Sequence, residues 1–171
     1  MVNKIISNLF RFVGLTLLQV LILDNIEISG YINPYIYILF IALLPLETPD
    51  WLVLVLGFGL GMTIDLFSGT PGMHTSATLL GAFSRKFLLK YLEPRDGYSS
   101  VETPDLKNMG IRWFLVYTGL LFLIHHLCLF YVEMFRFSEF FRTFFRAISS
   151  LFFTLLFTFL GQLLINAWKR K

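Results

Sequence analysis

The chain is short of charge, almost without cysteine, and empty of the common catalytic motifs. Only 15% of its 171 residues are Asp, Glu, Lys or Arg, where soluble domains carry about 25% because their surfaces face water. Independent folding in water is therefore excluded for most of the length. The lone cysteine, Cys128, sits in an apolar run, so an internal disulfide is excluded, and no zinc-type spacing accompanies it. The net charge of +3 is small, and the basic residues flank apolar runs instead of lining one soluble face. That argues against a nucleic-acid partner. No Ser-His-Asp order, HExxH, P-loop or GxSxG pattern occurs, so the residues point to no catalysis, metal or cofactor. The start, with Lys4 and Arg11 around apolar residues, has the flavour of a signal peptide. No small-x-small cleavage site closes that run before Asp24, so it reads as a retained first helix.

What is there is apolar: 56% of residues are hydrophobic, with 20 phenylalanines. They fall into runs of about membrane-crossing length. The expected architecture is an all-α integral membrane protein, one polytopic domain over 1–171, with about six spans at 5–24, 34–46, 51–68, 73–92, 111–134 and 147–168. A turn is expected at Ser29-Gly30, and Asn33-Pro34 opens the second run, where proline suits a first helical turn. That run ends at Pro45 and Pro49 and is too short to cross unaided, so it starts before Pro34 or sits inside a bundle. Five spans is the fallback. Glu93 to Asn108 reads as a solvated loop, and Phe135 to Arg146 as an interfacial segment leading into the last helix.

Charge placement argues for six. With an inside N-terminus, Lys4, Arg11, Arg85, Lys86, Lys90, Arg95, Lys107, Arg112, Lys169, Arg170 and Lys171 lie on the cytoplasmic side. Only Arg136, Arg142 and Arg146, of 14 Lys and Arg in all, lie opposite. This is the bias expected of a multi-pass chain with both termini inside.

The most informative stretch runs from Gly57 to Gly72. Gly57 and Gly61 share a helix face that permits close approach of another helix, and Asp65 lies on the same face. An ionisable residue within a span costs roughly 2.5 kcal/mol or more at the centre. Asp65 therefore caps the following turn, pairs with an arginine such as Arg146, contacts a partner, or handles a proton or ion. His125 and His126 lie about 100° apart on a helix, which disfavours a shared metal ion, so packing or polar contacts are expected of them. Arg142 and Arg146, among Phe140, Phe141, Phe144 and Phe145, read as an interfacial anchor, with partner binding as the alternative.

The Asn33-Pro34 pair and the series Gly61, Asp65, Leu66, Ser68, Gly69 and Gly72, a G-x-x-x-D-L-x-S-G-x-x-G signature, resemble the rod-shape-determining MreD family. The resemblance covers nearly the whole chain in layout. It implies a non-enzymatic inner-membrane scaffold of the bacterial cell-elongation (Rod) complex, without cofactor. It also implies binding to MreC, and work with MreB, the RodA glycosyltransferase and a penicillin-binding transpeptidase in directing peptidoglycan synthesis and cell shape. Partner binding is then expected at Gly57, Gly61, Asp65, Ser68, Gly69 and Gly72, with a groove beside the glycine face taking a partner helix. The family's fold is similar to the S-components of energy-coupling-factor transporters, so the rival reading is a vitamin-binding transporter subunit. That reading needs a cavity with convergent polar groups, for which Gln19, Asp65, His125, His126 and Gln162 are the available residues within the spans.

Overall fold

In the computed structural model, residues 2–26, 32–95, 97–98, 103–135 and 139–168 are described, the side chains from residue 6 onward. The turn expected at Ser29-Gly30, Arg136, and the basic cluster at 169–171 lie outside the described residues. Among the described residues every regular element is helical: α1 (Val2–Leu21), α2 (Leu39–Ala42), α3 (Asp50–Ser68), α4 (Met73–Tyr91), α5 (Leu106–Met109), α6 (Ile111–Met134) and α7 (Phe140–Trp168). Among the described residues, four segments are long and apolar enough to cross a membrane: Ile6–Asn25, Asp50–Ser68, Ile111–Met134 and Phe140–Trp168. Helix α4, expected as a further span, is not among them; Arg85, Lys86 and Lys90 dilute its apolar character.

Other expectations change as well. The second run does not form a regular span. Its helix opens as a 3-10 turn at Ile36–Ile38, two residues after Pro34, and continues for only four α-helical residues. Residues 34–44 are all buried, with Tyr37, Ile38, Ile41 and Ala42 fully enclosed. Of the two alternatives for this run, the second holds: it sits inside the bundle. The last helix, by contrast, begins at Phe140 instead of residue 147, because nothing between Phe140 and Ala147 breaks it. The stretch expected to be an interfacial lead-in from residue 140 is thus part of a 29-residue helix. Of the stretch from Glu93 to Asn108, part lies outside the described residues; Glu93, Pro94, Arg95, Lys107 and Asn108 are exposed, as expected of a solvated loop, while Pro104 and Leu106 are buried. Tyr98 donates to the Leu89 carbonyl at 2.7 Å, and Asp105 caps the single turn α5 by accepting from the Asn108 N–H at 2.8 Å.

Helices α3, α4, α6 and α7 pack in series, and α1 lies against α3 and the buried segment. Helix α3 approaches α4 closely. A Cβ on Gly61 would stand 2.5 Å from the Cα of Thr75, and one on Gly57 2.9 Å from the Cβ of Ala82. The glycine face expected to form a groove for a partner is therefore filled by α4 of the same chain. Small residues do their usual work there, letting two backbones meet, but within one molecule.

The short buried segment interrupts the bundle's regular backbone, and neighbouring side chains replace the hydrogen bonds it cannot make itself. At its start, the N–H of Asn33 donates to Ser150 Oγ (3.2 Å) and that of Tyr35 to Thr154 Oγ1 (2.9 Å). The Gln19 amide accepts from the Ile36 N–H at 2.9 Å and donates to the Pro34 carbonyl at 3.1 Å. At its end, the Tyr117 hydroxyl donates to the Ala42 carbonyl (3.1 Å), Arg11 to Leu43 (3.0 Å), and Arg85 to Leu44 and Pro45 (2.6 and 3.2 Å). Arg85 is only 3% exposed. Cations at the carbonyl end of a helix are electrostatically favoured, so these two arginines hold the core together.

Replacing Gly61 by Ala should lower the stability of the detergent-purified protein by about 1–3 kcal/mol, as overpacking against backbone does. Gly59→Ala, where the added methyl meets open space, should leave the thermal midpoint nearly unchanged. Gln19→Leu strips two buried backbone groups of their partners. It should cost about 2–6 kcal/mol, since each orphaned group costs about 1–3 kcal/mol, read as a lowered thermal midpoint.

Candidate functional site: a polar cleft above an aspartate clasp

Asp65 lies in the last turn of α3, and its carboxylate reaches across to the start of α4. One oxygen accepts from Thr70 Oγ1 (3.0 Å) and the His74 N–H (2.9 Å). The other accepts from the N–H groups of Gly72 (3.0 Å) and Thr75 (2.9 Å) and from Thr75 Oγ1 (2.6 Å). The first N–H groups of a helix lack intrahelical partners, and here one side chain from the preceding helix supplies them. The backbone bends to allow it. Gly69 ends α3 at φ 68° and Gly72 precedes α4 at φ 87°, left-handed conformations in which a Cβ is unfavourable. Ser68 then ties the clasp to the end of α1, its Oγ donating to Asp24 at 2.9 Å. The other Asp24 oxygen accepts from Gln19 Nε2 at 2.7 Å.

Of the alternatives for Asp65, capping of the following turn is the one seen. Arg146, the expected partner, instead bonds Glu133 at 2.9 Å and lies over the Phe130 ring at 4.5 Å. As an interfacial anchor Arg146 is also displaced from expectation, since its side chain is 19% exposed and turned inward; Arg142 is 60% exposed and bonds Glu139 at 3.1 Å. Within the signature, Gly61, Asp65, Ser68, Gly69 and Gly72 all serve the clasp, while the Leu66 side chain points outward.

Beneath the clasp runs a chain of buried polar groups. Tyr37 Oη lies 2.9 Å from His74 Nδ1 and 2.7 Å from His125 Nε2. His126 bonds the Phe122 carbonyl through Nδ1 at 2.8 Å and Thr154 Oγ1 through Nε2 at 3.1 Å. The two adjacent histidines thus make polar contacts to different helices. Among the described residues, no group of three or more His, Cys, Asp or Glu could hold a metal ion.

These elements enclose an open cleft of about 520 Å³ between the ends of α1, α3, α6 and α7. Asp24, Asn25, Asn33, Ser68 and Thr70 lie along one part of its wall, with Glu133 and Arg146 opposite on α6 and α7, and Tyr35 and His74 among its lining. Neither Asp65 nor Gln162 reaches it. Sequence reasoning assembled no such set, because its members come from five separate segments and several stand outside the apolar runs. One buried face is legible in the sequence, although none of its residues lines the cleft. Thr143, Ala147, Ser150, Thr154, Thr158 and Gln162 recur every third or fourth residue and form the buried face of α7.

Comparison with protein-family models, with curated proteins and with solved structures returns no match. The class defined by the fold is an all-helical protein with four helices able to cross a membrane.

Replacing Asp65 by Asn puts an N–H₂ group opposite at least one backbone N–H, removes that hydrogen bond and strips the charge from the others. The expected cost is about 2–4 kcal/mol, read as a lowered thermal midpoint. Thr75→Ser, which keeps the 2.6 Å hydroxyl contact, should stay close to the parent.

Proposed function

We propose that this protein is a multi-pass membrane scaffold of the bacterial cell-elongation complex, without enzymatic activity, that binds MreC. In this reading the buried segment counts as one of six passes, both termini are cytoplasmic, and the Asp65 clasp and cleft lie at the outer face. The observation that carries it is the signature from Gly61 to Gly72. Five of its residues meet in one clasp, which gives the spacing that resembles MreD a concrete physical meaning. Supporting it, the helix surfaces carry broad apolar stripes, such as Trp51, Val55, Phe58, Met62 and Leu66 on α3. Such stripes suit lipid and the transmembrane helices of partners. With the glycine face occupied, partner contact moves to these outer faces and to the rim of the clasp at Ser68. There docking rests on packing and hydrogen bonds, since lipid supplies no hydrophobic drive between helices.

A second reading is favoured by one specific observation. The cleft of about 520 Å³ gathers polar groups of both signs, as a small-molecule site requires, and this suits a ligand-binding subunit of an energy-coupling-factor-type transporter.

Affinity purification of the tagged chain from gently solubilised membranes separates the two. Recovery of MreC, RodA and a penicillin-binding transpeptidase is the expected outcome; an ATPase pair with a coupling membrane subunit would establish the second reading instead. A C-terminal fusion should be fluorescent with green fluorescent protein and inactive with a periplasm-dependent phosphatase. The opposite pattern would refute the six-pass topology.

A further inference from the structure

The chain has three histidines, His74, His125 and His126, and all of them meet at the first half of the buried segment. Tyr37 of that segment lies 2.9 Å from His74 Nδ1 on α4 and 2.7 Å from His125 Nε2 on α6. The Tyr35 ring stands edge-on to all three imidazoles, its centroid 5.3, 6.4 and 5.7 Å from those of His74, His125 and His126. His126 also reaches the segment through α7. Its Nε2 is 3.1 Å from Thr154 Oγ1, the same hydroxyl that accepts from the Tyr35 N–H at 2.9 Å. The segment is thus pinned at two residues by a cluster that contains every imidazole of the protein.

Histidine is the side chain whose ordinary titration falls within the physiological range. His125 and His126 are fully enclosed, and His74 is 5% exposed. Among the described residues, the three rings hydrogen-bond to uncharged groups: Tyr37, Thr154, the Phe122 carbonyl and each other. Besides Tyr35 and Tyr37, the ionisable groups that face the cluster among the described residues are Asp24 at the end of α1, Asp65 on α3, Glu133 on α6 and Arg146 on α7. The three carboxylates act on His74, and Asp65 is already filled by five donors. Arg146 lies over the Phe130 ring, which packs against His126. No carboxylate bonds any of the three rings.

We propose that the three histidines form an acid-operated release for the buried segment: neutral, they pin Tyr35 and Tyr37 at the centre of the bundle, and protonated, they let the segment loosen. The inference goes beyond the scaffold reading and holds for either proposed role. An unpaired buried charge is far costlier than an unpaired polar group, so a proton favours the state in which water reaches the rings. The opened state then binds more protons than the closed one, and acid promotes opening. His74, in the wall of the cleft, gives the proton its way in.

The test uses the full chain purified in detergent. Hydrogen–deuterium exchange, read by mass spectrometry and corrected for the intrinsic effect of pH, follows peptides covering residues 34–44. With an ordinary histidine titrating near about 6.5, the opened population rises about tenfold between about pH 7.5 and 5.5 for each ring that is neutral when closed. Protection of residues 34–44 should therefore fall about tenfold or more over that range, and more than that of α3. His125→Gln and His126→Gln keep a hydrogen-bonding side chain that takes no charge, and each should remove about tenfold of the effect. Thermal midpoints at the higher pH identify the variants that fold. Protection of residues 34–44 that is the same at both pH values in the parent protein overturns the proposal, whether or not any variant folds. So does an equal fall in α3, which is loss of the whole fold, or a pH effect that persists undiminished in a folded His125→Gln or His126→Gln protein.

Discussion

The structure depends on how it closes around a stretch of backbone that is buried without being a full helix. Residues 34–44 lie at the centre of the bundle, yet only seven of them, Ile36–Ala42, are helical. Buried peptide groups must find partners, because an orphaned one costs as much as several favourable contacts return. The chain solves this from outside the segment: Gln19, Ser150 and Thr154 serve its first N–H groups, and Tyr117, Arg11 and Arg85 its last carbonyls. Four long helices are thereby fixed in register against one short one. Several polar residues of otherwise apolar helices, Gln19, Tyr117, Ser150 and Thr154 among them, are accounted for in the same way.

The aspartate clasp solves a related problem at one end. A tight connection between α3 and α4 leaves the first donors of α4 without intrahelical partners, and Asp65 gathers them onto one carboxylate. Close packing at Gly61 brings Asp65 within reach, and the left-handed turns at Gly69 and Gly72 curve the backbone around it. The spacing of the signature is therefore a geometric requirement of one hairpin. Through Ser68, Asp24 and Gln19 that hairpin is joined to the buried segment. The two features stand or fall together, and the cleft is the space left where they meet.

Much of this was legible in order of residues. The apolar runs, the turn at Gly69 to Gly72, the capping role open to Asp65 and the interior position open to residues 34–46 all followed from composition and spacing. These are local properties, set by hydropathy, helical period and the conformations glycine allows. What was misread was misread for a physical reason. A tally of charges along the chain does not distinguish a solvated guanidinium from those of Arg11 and Arg85, which bond buried carbonyls. Gly57 and Gly61 form a face of close approach, but periodicity does not say which helix approaches.

The sequence by itself determined that the chain is all-helical and apolar enough to cross a membrane, since those traits depend on each segment alone. Only the tertiary structure decided that the glycine face closes on α4, that Arg146 answers Glu133 instead of Asp65, and that His74 lines a polar cleft. Each of those pairings joins residues brought side by side by chain reversal. Where two helices reverse, distance along the chain carries no record of which side chains will meet.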